Sequence, residues 1–161
     1  MSGIKTLLWL VAFSLPISAQ AVQAFRLTIT ATILARPPCV INDNQPITAP
    51  FGEVDTTAID GSYNTINLSY SLNCSRAVKS ELRMRVEGVG ATFDQTLLQV
   101  PSFNNLGIAL KIAGQSYSLN TWHNFNANQP PSLQAVLVKR QDSEIGGGSF
   151  SSAATLVVDY Q

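Results

Sequence analysis

Few residues in this sequence could do chemistry, and they are scattered. The single histidine, His123, follows Trp122 in a stretch rich in Asn and Pro. A Ser-His-Asp device needs only convergence in space, so distance along the chain does not exclude one. Yet no Gly-x-Ser-x-Gly elbow is present to present a nucleophile, and His123 reads as an exposed loop residue. Cys39 and Cys74 stand 35 residues apart. With one histidine they lack the number and close spacing of a zinc set. Gly146-Gly147-Gly148-Ser149 has the glycine content of a phosphate cradle, but no Lys follows it and the next segment alternates like a strand. No helix N-terminus is there to hold an anion, so these glycines read as a flexible connector. Asn67-Leu68-Ser69 and Asn73-Cys74-Ser75 match the glycosylation sequon; both fall within strand-like alternation, and they read as chance matches. The carboxylates are dispersed, and Asp55 and Asp60 lie near turns, where Asp bonds its own backbone. Tyr117, Trp122 and His123 form the one group that could make a binding surface, an aromatic platform for a sugar ring.

The elements that must position these residues all read as strands. Residues 66–74 alternate strictly, with Ile66, Leu68, Tyr70, Leu72 and Cys74 on one face, as a strand with one buried face requires. Residues 82–86, 106–112, 117–119, 133–139 and 150–160 read as further strands, with short extended pieces at 39–41 and 49–54. Pro50 and Gly52 limit the last of these. Turn clusters at residues 42–46, at Asp60-Gly61-Ser62 and at the three glycines separate them, and residues 121–131 read as a loop. No segment holds a helical period. About eight short strands with turns between them predict an all-β sandwich, and a bridge from an early strand to the next long one suits an immunoglobulin-like arrangement.

Compartment follows from the front of the chain. Lys5, the apolar run at residues 7–13 and Ala19-Gln20-Ala21 have the order of an export signal. They predict a signal peptide over residues 1–21, cut after Ala21 or after Ala24. The run is shorter than the roughly 20 apolar residues a spanning helix needs. About 140 residues remain, enough for one domain with a core. An oxidising destination makes a Cys39–Cys74 disulfide the expected state, worth about 3–4 kcal/mol on the chain-entropy account. The ten Lys and Arg residues balance the ten Asp and Glu, with no basic stripe for nucleic acid and no polybasic patch for anionic lipid.

The two ends of the mature chain carry the functional expectation. Residues 25–33 alternate, with Phe25, Leu27, Ile29, Ala31 and Ile33 on one face and Arg26 or Thr on the other. Nothing upstream can turn back to pair with such a strand. Its four large apolar side chains would gain roughly 6–12 kcal/mol gross on full burial, comparable with the stability of a small domain. At the other end Tyr160 is penultimate, so no residues follow to cover the last strand. Its open edge invites a partner. The blander account folds the leading strand onto its own sheet; the alternative, taken here as the expectation, is that the front of one molecule fills the gap in the next.

These features in order resemble a pilin subunit of the chaperone–usher family: an export signal, an alternating extension, then Pro37-Pro38-Cys39-Val40-Ile41-Asn42, Cys74 closing a long strand, and Gly148-Ser149-Phe150 leading through Ala154 to Tyr160. The resemblance implies an incomplete immunoglobulin-like sandwich that lacks its last strand and is completed by a donor strand from another subunit. This is β-strand addition, of which chaperone–pilin pairing is a known instance. It implies an extension over residues 22–36 whose donor face is Phe25, Leu27, Ile29, Ala31 and Ile33, and a pilin domain over residues 37–161. Ala154, Leu156, Val158 and Tyr160 would flank the acceptor groove and meet the chaperone. The implied partners are a periplasmic chaperone, an outer-membrane usher, neighbouring pilin subunits and a tip adhesin, on a cell-surface fimbrium. No enzyme activity, cofactor or nucleic acid is implied. The Pro-Pro-Cys segment is most similar to minor adaptor subunits of P-type pili. Ala31 stands where such extensions usually carry Gly, so the receiving groove needs room for one more methyl. The alternative function is a small carbohydrate-binding tip adhesin module using Tyr117, Trp122 and His123.

Overall fold

Alternation and apolar runs become strands here, and the strands pair antiparallel throughout. The computed structural model describes residues 37–161. The expected signal peptide over residues 1–21 and the alternating segment over residues 25–33 lie outside the described residues. Eleven strands follow in chain order: β1 (Val40–Ile41), β2 (Ile66–Leu68), β3 (Leu72–Asn73), β4 (Glu81–Glu87), β5 (Gly90–Ala91), β6 (Asp94–Gln99), β7 (Leu106–Ile112), β8 (Gln115–Tyr117), β9 (His123–Asn126), β10 (Leu133–Lys139) and β11 (Thr155–Tyr160). One sheet runs β2-β10-β7-β6-β5 with β8 also on β7; a second runs β11-β4-β9; β1 and β3 pair with each other. The fold is all-β, as expected.

Burial follows the side-chain period. On β4, Leu82, Met84 and Val86 are buried while Arg83 and Arg85 face outward. On β10 three consecutive residues, Ala135, Val136 and Leu137, are buried, as a central strand between two others allows. One core cluster gathers Val86, Leu98, Leu106, Ile108, Leu110 and Leu137. A second gathers Leu82, Met84, Ile112, Phe125, Leu133 and Val158 around Cys39. The Cys39–Cys74 disulfide is formed and fixes the β1–β3 pair against this second cluster. Gly90 is required at the β5–β6 hairpin: a Cβ there would lie 2.9 Å from the backbone of Gln95.

Several expectations are corrected. The alternation over residues 66–74 is real in burial but is two strands, not one. Ile66–Leu68 pairs with β10, and Leu72–Asn73 pairs with β1; the chain changes partner at Tyr70. Tyr70 Oη donates to the carbonyl of Pro131. Residues 49–54 form no strand, and the last strand starts at Thr155 rather than at residue 150. His123 opens β9 instead of sitting in a loop, because pairing with β4 overrides the poor strand propensity of its Asn neighbours. β5 and β6 were not anticipated: Asp94, Gln95 and Thr96 are all exposed, so no alternation marks them.

A groove between two unladdered walls

Residues 49–54 and 150–154, expected as strands but lacking a ladder, belong to two facing walls. Residues 45–54 form one wall, and residues 145–156, ending in the first two residues of β11, form the other, over a floor from the first core cluster. Two cavities lie between them, of about 590 and 510 Å³. The first has Ile59, Leu106, Ile108 and Leu137 beneath it; the second has Leu68, Val86, Leu98, Leu110 and Ala135. Phe51, Ile108 and Ser152 line both, so the two cavities adjoin. At the junction Phe51 and Phe150 meet, with ring centroids 6.0 Å apart.

Local bonds explain why the walls stand where they do. Asn64 Nδ2 donates to the Phe51 carbonyl at 2.8 Å, tying the first wall to the turn before β2. Ser152 Oγ donates to the Gln99 carbonyl at 2.5 Å, tying the second wall to β6. Pro46 and Pro50 have no N–H to give to a ladder, so this wall runs past its neighbours without joining a sheet. Among the described residues β11 pairs with β4 alone, at the end of its sheet. The groove is apolar below and polar at its rim, a shape for an extended chain with alternating side chains rather than for turnover of a small molecule.

The expected groove residues divide. Ala154 and Leu156 line the second cavity. Val158 and Tyr160 lie further along β11 in the second core cluster, where Tyr160 Oη accepts the Val78 N–H at 3.2 Å. The expected donor residues Phe25, Leu27, Ile29, Ala31 and Ile33 lie outside the described residues. Ile47 and Phe51 were not singled out beforehand, although their places directly after Pro46 and Pro50 were the available signal; Phe150 was named only within the terminal motif, not as groove lining.

Tyr117, Trp122 and His123 do not converge. Tyr117 Oη accepts the Val86 N–H at 3.0 Å and donates to the Thr121 carbonyl, so it is committed to the scaffold. Trp122 lies on the outer face of the β11-β4-β9 sheet, with the guanidinium groups of Arg83 and Arg85 each 4.4 Å from its ring. His123 pairs in register with Met84, whose side chain points inward. Among the described residues no group of three or more His, Cys, Asp or Glu is placed to hold a metal ion.

The charged groups act locally. The hydrogen bond from Arg83, at 3.1 Å, holds the Asp159 carboxyl below the usual carboxylate range, helped by the Tyr160 N–H. Asp55, Asp60 and Asp94 are lowered by hydrogen bonds within their own turns, from Thr57, from Ser62 and Tyr63, and from Thr96. Burial pushes the Tyr70 phenol up to about 12.

Comparison with known proteins agrees with this geometry. Residues 25–161 match the family described as Fimbrial protein. The chain is 33% identical over 165 residues to the fimbrial-like protein YfcQ of Escherichia coli K12, covering 98% of this chain and 99% of that one. It is 30% identical over 139 residues to YfcR of the same organism, covering 84% and 80%. Among solved structures it resembles the P pilus adaptor subunit PapF, with a TM-score of 0.57 and 25% identity over 78% of this chain and 97% of that one. An immunoglobulin-like all-β domain with this relationship is a structural subunit rather than an enzyme, and the chain belongs to the fimbrial protein family as a chaperone–usher pilin.

Proposed function

We propose that this protein is a minor pilin that assembles by donor-strand exchange. Its residues 22–36 serve as the extension and residues 37–161 as the pilin domain, exported after removal of residues 1–21. The groove between residues 45–54 and 145–156 receives a strand, first from a periplasmic chaperone and then from a neighbouring subunit at an outer-membrane usher. The observation that carries this reading is the pair of adjoining apolar cavities beside β11, whose second edge is unpaired among the described residues. A strand laid there would add a ladder to β11 and cover Leu98, Ile108 and Leu110. Ala154 and Leu156 would meet it directly, and Val158 and Tyr160 would hold the far end of β11 in place. Phe25, Leu27, Ile29, Ala31 and Ile33 would supply the same service to the next subunit. Resemblance to the adaptor PapF supports a place near the fibre tip, beside an adhesin, and a contribution to adhesion through the assembled surface fibre.

The test is removal of residues 22–33 from the gene, with the signal peptide kept. The truncated subunit is expected to fold and to co-purify with its chaperone, but not to be built onto a preceding subunit, because it has no strand to donate. A truncated subunit that still joins a preceding subunit in fibres would exclude the donor role. A Leu156→Arg substitution tests the groove separately and is expected to abolish strand uptake while leaving the extension able to donate.

A further inference from the structure

Resting on the strand-exchange reading, we infer that the groove is suited to the leading segment of a second copy of this same chain, and that charge selects it. Between Arg36 and Arg76 the sequence holds Asp43, Glu53, Asp55 and Asp60 and no Lys or Arg. All four acids are exposed. Glu53 lines the first cavity, and Asp43 stands between Ile41 and Gln45, which line the second. The two ion pairs among the described residues use Arg83 and Arg85 with Asp159 and Glu87, on the other sheet. The leading segment has the opposite sign: residues 22–36 carry Arg26 and Arg36 and no acid.

Direction fits this match. Every ladder of the domain is antiparallel, and an antiparallel addition to β11 continues that pattern. Ile41, Gln45, Pro46 and Ile47 share a cavity with residues 152–156, whereas residues 49–54 share the other with residues 145–152. The first wall therefore runs opposite to the second, and a strand antiparallel to β11 runs with it. Asp43 lies in a tight turn over Asn42–Asn44 at one end of the wall, and Glu53 lies towards the other. Laid in this direction, Arg26 would enter at the Asp43 end and Arg36 at the Glu53 end. Both arginines are on the even face, away from Phe25, Leu27, Ile29 and Ile33, so they sit at the rim while the odd face meets the floor. The antiparallel ladder picks this direction. Rim charges of this kind govern partner choice and association rate more than final affinity.

Full chain, exported and purified, tests the inference through the rate at which it forms multimers. Wild type is expected to multimerise, more slowly at high salt because rim charges are screened. The D43K/E53K variant should slow about tenfold, since attraction becomes repulsion at two rim positions. Adding R26E/R36E in the same chain should restore the rate. The control E81K/D142K makes an equal charge change away from both cavities and should leave it unaltered. An unchanged rate in D43K/E53K, or no recovery in the fourfold variant, overturns the inference. So does a wild-type chain that takes up another pilin's strand but never its own, although that result leaves the groove reading standing. Multimers that persist without residues 22–33 would sink the underlying reading instead.

Discussion

At the scale of single residues, side-chain hydrogen bonds to backbone hold the irregular parts of the chain. Tyr70 sits where residues 66–74 change sheets, and its phenol bonds the Pro131 carbonyl. Tyr70→Phe is expected to cost about 1 kcal/mol, read as a lower midpoint in denaturant unfolding, and the phenol at this site should ionise at higher pH than a free tyrosine, because burial pushes it up to about 12. Met84 is fully buried in the second cluster, and Met84→Ala should cost roughly 2–5 kcal/mol. The carboxylates set the response to acid. Asp60, Asp94 and Asp159 have folded-state values below their ordinary range. Groups lowered in this way stabilise the fold above the unfolded value of about 4 and lose that contribution as pH falls through the folded value. Melting temperature should thus be level near neutrality and decline below pH of about 4. Asp60→Asn with Asp94→Asn should flatten that decline, and a melting temperature that rises on acidification would contradict it.

At the scale of elements, legibility tracked burial. The apolar runs of β7 and β10 were bounded correctly because both strands are central and their residues report directly on the core. The alternation over residues 66–74 forecast burial faithfully and topology wrongly: period two says which side chains go inward, not which sheet lies beyond them. β9 was missed because its Asn residues belong to loops by propensity, while its strand character comes from pairing with β4. The most telling failures were residues 49–54 and 150–154, read as strands and found without ladders. Their apolar residues suggested strands, but Pro50 and Gly52 in the first and the small residues 151–154 in the second favour ladders poorly, and a strand exists only when something completes its hydrogen bonds. In the proposed assembly that something arrives from another molecule. Leu156→Ala should therefore weaken strand uptake by at least tenfold while moving the isolated subunit's melting temperature little, because Leu156 is only partly buried in the free domain.

At the scale of the whole molecule, a disulfide and two core clusters support a domain with an open apolar cleft. The Cys39–Cys74 link closes a 35-residue loop that contains the entire first wall. Replacing both cysteines by serine should cost about 3–4 kcal/mol and also loosen that wall, so strand uptake should fall alongside stability; a variant that loses stability but binds a strand normally would separate the two. The candidate site was half visible in the sequence. Ala154 and Leu156 announced themselves by alternation, whereas Phe51 and Phe150 could be matched only once the fold brought their rings together.

The placement of Trp122 has a practical corollary. The sequence contains two tryptophans, and the other, Trp9, falls in the expected signal peptide. The mature protein would then carry a single indole, held against two guanidinium groups on a sheet that includes β11. Its fluorescence would report from one known position, so occupation of the neighbouring strand edge could be followed in real time without attaching a dye.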